Sequence, residues 1–395
     1  MAAKKGSGKS TGKRMTKAER KRKKQRKMMI LGIEAVVVVV LIVALYFVTK
    51  LDKIHKDEIQ EEEVVTNEAV MEEELLVDAS DVTINDGSIS HMNGYRNIAL
   101  FGVDARNNNL GKGVRSDTII IASINETTKE IKLVSVYRDT YLNLGNDSYN
   151  KANTAYSQGG PKQAINMLNM NMDLNITDYV TVGWAAVADT VDALGGIQIE
   201  VDSEELEHLN NYQVETSQSL GKSYTKLTET GLVTLDGIQA VSYCRIRYTA
   251  GDDFKRAERQ REVIQALADK AKKASPEKLD QIANEVFPQT ATSLTLSEIL
   301  ELLKDVASYE IVETSGFPVG EYRSTGVFSA RIGDCVIPAD LETNVVVLHE
   351  FLFGDIGDYE PSEAVQEYGD KIRSDTGTAQ VYSGSGGTSE DSESE

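Results

Sequence analysis

The sequence predicts an α/β layered domain around a central mixed β-sheet, preceded by one transmembrane helix. Three observations point there. A long apolar run follows a basic arm, Ile- and Val-rich segments alternate with helical patterns, and the first of those segments are joined by connections too short to hold a crossover helix.

Residues 1–27 carry thirteen Lys or Arg against one acid, Glu19, in a chain whose formal net charge is −20. The run "MMILGIEAVVVVVLIVALYFV" follows at 28–48, with Glu34 as its single charge. At about 1.5 Å per residue it spans roughly 30 Å, the thickness of a hydrocarbon core. No small-residue cleavage site follows it, so the segment reads as an uncleaved anchor of the cell membrane. The basic excess before the span places the N-terminus in the cytoplasm and residues after about 50 outside. The arm is a topology signal and requires no nucleic acid. Four His and two Cys, scattered, exclude a tetrahedral zinc site, and no G-x-S-x-G nucleophile motif occurs.

Residues 49–92 are acidic and poor in aromatics and read as a stalk. Strands are predicted at 97–103, 117–124, 131–137, 178–183, 197–201 and 240–248, with a further one at 309–314. Helices are predicted at Pro161–Asn171, Trp184–Leu194, Phe254–Ala274, Pro276–Phe287 and Leu296–Val306, and near Leu341–Phe353. Residues 276–372 extend the α/β body of 93–275 or form a small appendage, and 373–395 form a disordered acidic tail.

The hairpin-length turn "NETTKE" and the loop 104–116 make the first three strands an antiparallel meander. Its geometry brings Asp104 with Arg106, Arg115 with Asp117, and Arg138 with Asp139 to one sheet edge. A second basic cluster lies in "YCRIRYTAGDDFKRAERQRE", residues 243–262, with five arginines. On a strand, Arg245 and Arg247 share one face and Cys244 faces away. Asp252 or Asp253 then caps a helix whose apolar stripe, traced backward from Val263, passes through Gln260, Ala257 and Arg256. An arginine and an amide thus occupy positions where core residues belong. Arg259 and Arg261 read as solvated surface charges with i,i+4 partners such as Glu258 and Glu262. A helix N-terminus flanked by guanidiniums suits phosphate, and the pair Asp104 and Asp117 suits a hard divalent cation, Mg²⁺ with Mn²⁺ as the alternative.

Seven ordered blocks then carry a resemblance: "FGVDAR", "VRSDTIII", "VSVYRDTYL", "YNKANTAYSQGG", "VDALGGIQIEV", "LDGIQAVSYCRIRY" and "DDFKRAERQREV". From about Asn97 to Ala271 the chain resembles the LytR-CpsA-Psr family. The resemblance implies an α/β/α sandwich and a transferase of the cell envelope. Such an enzyme moves a glycopolymer, teichoic acid or capsule, from a polyprenyl-pyrophosphate carrier in the membrane to peptidoglycan. It implies Asp104 and Asp117 as magnesium-associated catalytic aspartates, with Arg138 beside them. It further implies Arg115, Arg138, Arg245, Arg247, Arg256, Gln260 and Lys151 as pyrophosphate-binding residues. The third strand ends "YRD" where members commonly read "PRD". An apolar slot for the lipid is expected along the Trp184–Leu194 helix. A wall-associated regulator, under which name transcription attenuation has been attached to LytR-like members, and a pyrophosphate hydrolase are the competing readings.

Cys244 and Cys335 both fall outside the membrane in this topology, where disulfides persist, and form a candidate bridge.

Overall fold

The computed structural model describes residues 55–56, 90–104, 110–247, 252–275, 282, 286, 289–294, 307–329 and 331–377. The predicted basic arm, membrane anchor and nearly all of the stalk lie outside them, as do Arg106 and most of the helices expected at 276–287 and 296–306. Among the described residues, no helix is long and apolar enough to cross a membrane.

The strands are β1 (His55–Lys56), β2 (Tyr95–Val103), β3 (Ser116–Asn125), β4 (Glu130–Val136), β5 (Tyr141–Asn143), β6 (Tyr149–Lys151), β7 (Asp178–Gly183), β8 (Ile197–Val201), β9 (Gly231–Leu235), β10 (Thr290–Thr292), β11 (Glu310–Phe317), β12 (Arg323–Ser329) and β13 (Gly333–Pro338). The helices are α1 (Asn153–Met172), α2 (Trp184–Ala193), α3 (Ser203–Leu220), α4 (Gly237–Arg245), α5 (Asp252–Ala271), α6 (Leu341–Phe353) and α7 (Glu363–Thr376).

A mixed sheet in the order β1-β10-β7-β2-β3-β4-β11 forms the centre. β2, β3 and β4 pair antiparallel as their short connections require, whereas β7 lies parallel to β2 and β11 parallel to β4. Side chains alternate across this sheet. Phe101, Ile119, Ile121 and Val134 face a core shared with α1, α6 and α7. Ile120, Ala122 and Leu133 face the other way, where Ile264 of α5 packs against them. Beyond α5, the β8–β9 ribbon and α2–α4 enclose a second cluster around Ile197, Leu235, Tyr243 and Val263. The result is a three-layer arrangement, helices over both faces of a mixed sheet.

The strand expected at 240–248 is a correction. Residues Gly237–Arg245 are helix α4, because Asp236 and Gln239 form a reciprocal capping box: the Asp236 carboxylate accepts from the Gln239 amide at 2.8 Å, and the Gln239 side chain accepts from the Asp236 amide at 2.9 Å. The strand predicted at 197–201 exists, but it pairs with β9 and not with the central sheet. The C-terminal region is an integral part of the body: β11 is the sheet's edge strand, and Leu348, Leu352, Val365 and Ile372 complete the α1-side core. Helix α7 runs to Thr376, so the tail expected from 373 begins inside a helix.

Cys244 and Cys335 are both free, which overturns the expected disulfide. Cys244 belongs to the cluster on the α2–α5 side of the sheet and Cys335 to the core on the opposite side, so the sheet separates them. Burial pushes their thiols up to about 12 and about 11, leaving them protonated at neutral pH.

Candidate active site

The meander delivers its charged residues as its connectivity dictates. Asp104 follows β2, Asp117 opens β3, and Arg138 follows β4. All three line one cavity of about 290 Å³ with Arg245, Arg247, Arg256 and Gln260. Four arginines therefore meet two aspartates drawn from five separate stretches of chain.

Arg138 Nη1 donates to Asp117 Oδ1 at 2.6 Å, and its Nε lies 3.5 Å from Asp139 and 3.6 Å from Asp253. Burial disfavours the Arg138 cation, but these three carboxylates outweigh it and hold the guanidinium above its ordinary range. Arg256 is 5% exposed. Its Nη1 lies 3.2 Å from Asp253, and its Nη2 donates to the Asp117 backbone carbonyl at 3.1 Å. For Arg256 burial wins, with Arg138 adding repulsion, and the guanidinium sits below its ordinary range. The phase argument from sequence thus holds: Arg256 and Gln260 are both buried at the start of α5.

Arg245 closes the last turn of α4, where a cation complements the helix dipole. The position of that helix is fixed by close approach. A Cβ on Gly237 would lie 2.3 Å from the Ala188 carbonyl of α2, so only glycine fits there. Ile246, fully buried, then anchors the exit, and Arg247 follows within 3.6 Å of Asp253. The two arginines reach the cavity from a helix terminus and its exit, not from alternate positions of a strand. Cys244, expected to face away, lines the same cavity, and its carbonyl accepts from Gln260 Nε2 at 3.4 Å.

Several contributors were not anticipated. Asp253, seen in the sequence only as a helix cap, braces Arg138, Arg247 and Arg256 together. Helix α3 presents Tyr212, Glu215 and Thr216 on one face: Glu215 Oε2 lies 3.0 Å from Arg245 Nη2, Thr216 Oγ1 accepts from Arg245 Nη1 at 2.8 Å, and the Tyr212 ring lies 5.7 Å from the guanidinium carbon. Trp184, first residue of α2, also lines the cavity, on the helix along which an apolar slot is expected from the sequence. Two predicted residues stand apart from the lining. Arg115 is exposed just before β3, and Lys151 pairs with Asp139 at 3.2 Å from β6.

The reading of Arg259 and Arg261 as solvated charges is also corrected; they are 3% and 7% exposed. The β8–β9 ribbon, α3 and β11 cover that side of α5, and Arg259 donates from Nε to Glu205 Oε1 at 2.8 Å, a partner 54 residues away.

The sequence model of the LytR_cpsA_psr family matches residues 42–331. The chain belongs to this family. It is 31% identical over 214 residues to the polyisoprenyl-teichoic acid–peptidoglycan teichoic acid transferase TagU of Enterococcus faecalis, an alignment covering 53% of this chain and 65% of that relative, less than two thirds of its length. It is 28% identical over 239 residues to TagT of Bacillus subtilis, described by the same activity, covering 60% of this chain and 71% of the relative. The crystal structure of TagV from B. subtilis superposes with a TM-score of 0.53 at 26% identity, covering 68% of this chain and 98% of that one.

The cavity suits a diphosphate on its own chemistry. Guanidiniums offer bidentate donors to phosphate oxygens, and here they are held by carboxylates before any ligand arrives. Among the described residues no group of three or more His, Cys, Asp or Glu is placed to hold a metal. Two carboxylates completed by substrate phosphate and water is nevertheless the usual way Mg²⁺ is held, so Asp104 and Asp117 fit that ion.

Proposed function

We propose that this chain is a membrane-anchored transferase that moves an anionic glycopolymer, teichoic acid or a capsule-like polymer, from a polyprenyl-pyrophosphate carrier to a sugar hydroxyl of peptidoglycan. One observation carries the reading: Arg138, Arg245, Arg247 and Arg256 line a single cavity with Asp104 and Asp117. The names of the similar transferases from E. faecalis and B. subtilis support the substrate class.

In this reading Arg245, Arg247 and Arg256 hold the carrier-side phosphate, and Arg138 faces the polymer-side phosphorus. The acceptor hydroxyl forms a bond to that phosphorus, the bond to the bridging oxygen breaks, and the carrier leaves as polyprenyl phosphate. The hydroxyl proton passes to a carboxylate of the same cavity, Asp117 or Asp104. Asp104 and Asp117 would hold Mg²⁺, which when bound neutralises charge on the diphosphate. Trp184 offers a surface for the first isoprene units, and residues 28–48 hold the catalytic body on the outer face of the cell membrane near its lipid substrate.

The test is reconstitution of the full chain in detergent with lipid-linked donor, peptidoglycan and Mg²⁺. Polymer bound covalently to the wall is the expected product, lost on chelation with EDTA. Free phosphorylated polymer would replace transfer by hydrolysis, and intact donor would reduce the protein to a binding module.

A further inference from the structure

A second, larger depression of about 680 Å³ opens on the other side of α5, bounded by β8 and β11. Its wall includes Glu200, Glu258, Arg261, Glu262, Gln265 and Asp269. On α5 the residues 258, 262, 265 and 269 recur at four, three and four positions, one helical face. Arg256 and Gln260, which line the arginine cavity, fall on the opposite face. No residue is shared between the two linings.

The feature that asks for a ligand is Arg261. It is 7% exposed, it lines this groove, and its Nε and Nη1 have no hydrogen-bond partner. A buried guanidinium with unfilled donors is costly, and an acceptor oxygen from a ligand would fill them. The carboxylates need the reverse. Glu258 is engaged by Lys255 at 2.6 Å and Glu262 by the Tyr243 hydroxyl at 2.6 Å, whereas Glu200 and Asp269 are exposed at the rim, Asp269 accepting there from Gln265 Nε2 at 3.2 Å. The occupant must therefore accept at the floor and donate at the rim.

This requirement sorts ligand classes. A phosphate is anionic, and it would face four carboxylates. An ammonium only donates, and it would meet the guanidinium. A hydroxyl does both, and a secondary amide divides the two roles between its carbonyl and N–H. Ile199 and Ala266 add apolar patches for the C–H surface of a sugar ring. We infer that this groove binds an uncharged, polyhydroxylated, N-acetylated sugar chain. The inference does not depend on the transfer reaction. If both hold, α5 separates a cationic cavity for the anionic donor from an acidic groove that repels the donor polymer and takes a neutral glycan.

The experiment titrates the full chain, in a detergent without a sugar headgroup, with tetra-N-acetylchitotetraose. Binding is followed by saturation-transfer NMR and calorimetry, and inorganic pyrophosphate binding is measured in parallel. Saturable oligosaccharide binding is expected, weakened about tenfold or more by Arg261→Met through loss of hydrogen bonds to a charged donor. Glu200→Ala combined with Asp269→Ala changes only exposed rim residues, so it tests the site even where Arg261→Met fails to fold, and it too weakens binding. Pyrophosphate affinity stays within about twofold in every folded variant, because additive behaviour is expected of sites without shared residues. Absence of saturable binding at millimolar oligosaccharide overturns the inference, as does binding that neither variant changes. Displacement of the oligosaccharide by trilysine or by inorganic phosphate would assign the groove to a charged ligand and overturn it equally. Loss of pyrophosphate binding alone would bear on the proposed reaction and leave the groove intact.

Discussion

Two arginines five residues apart on α5 are buried to nearly the same extent, yet they lead to different chemistry. Arg256 is 5% exposed and rests against Asp253 at 3.2 Å; Arg261 is 7% exposed and has two nitrogens without a hydrogen-bond partner. Burial holds both guanidiniums below their ordinary range. The difference lies in what surrounds them. Around Arg256, Asp253 also reaches Arg138 and Arg247, so three cations are held in place by one carboxylate, an arrangement that a strongly anionic ligand can exploit. Around Arg261 the acids are at the rim and pair with other partners. A braced cluster selects charge, whereas a lone guanidinium under an acidic rim selects a ligand of mixed polarity.

The sharpest way to break this comparison is to disturb the helix that both cavities share. Arg259 lies between the two faces and pairs with Glu205 at 2.8 Å while also donating to the Ile246 carbonyl at 3.3 Å. Removing one partner of a buried pair leaves the other uncompensated, so Arg259→Met is expected to cost about 3–5 kcal/mol of stability. A urea titration checks this. If the unfolding midpoint barely moves, α5 is not held by this pair, and the rigid separation of the two cavities loses its physical basis.

Next in size is the arginine cavity itself. Arg138→Met removes the contact to Asp117 and a cation placed where charge develops, so turnover is expected to fall by about 10²–10³, or about 2.7–4 kcal/mol. Asp117→Asn is expected to lose a similar factor, with the circular dichroism spectrum unchanged in both. Steady-state transfer assays decide, and activity within a factor of two of the parent would remove these residues from the chemistry. Oligosaccharide binding should be indifferent to both.

A third contrast concerns the sheet face far from both cavities. His349 is fully buried in α6, its Nε2 lies 2.8 Å from the Met172 carbonyl, and its Nδ1 lies 2.8 Å from His91 Nε2. Burial brings its pKa down to about 4. The unfolded chain therefore binds more protons between pH 6.5 and 4, so stability is full above that window and falls as pH drops through it. The loss is on the order of 3 kcal/mol by pH 4. Denaturation curves across that range, with His349→Phe as the variant expected to flatten them, test the assignment; an unchanged pH profile would discount His349 as the cause.

How much of this was legible in the sequence follows from the length of chain each feature depends on. The meander was readable because a six-residue turn permits only an antiparallel partner, and from it came the meeting of Asp104, Asp117 and Arg138. Arg256 and Gln260 were readable from helical phase alone. Arg245 and Arg247 were placed in the right cavity for the wrong reason: alternation in "CRIR" suggested a strand, while the capping box from Asp236 to Gln239, present in the sequence, was the stronger local signal. The burial of Arg259 and Arg261 was not readable, since the covering ribbon and Glu205 come from far along the chain. The free cysteines were invisible for the same reason, because spacing does not reveal that a sheet lies between them.

The smallest predicted effect separates the two cavities most finely. Glu215 sits on α3 at the mouth of the arginine cavity, mostly exposed, with its carboxylate 3.0 Å from Arg245. That carboxylate competes for the Arg245 guanidinium, which in the proposed function holds a phosphate oxygen. Binding of a diphosphate must displace it, and an exposed ion pair of this kind is worth about 0.2–1 kcal/mol. Glu215→Gln keeps the shape, removes the competing charge, and is expected to tighten inorganic pyrophosphate binding by up to about fivefold. Calorimetry at two ionic strengths checks it, because the gain should shrink as salt screens the pair. Weaker binding in the variant would show instead that Glu215 orients Arg245 for its ligand, and the competition drawn here would be wrong. The acidic groove, where the exposed pair joins Glu258 to Lys255 and leaves Arg261 without a competing carboxylate, should show neither the gain nor its salt dependence.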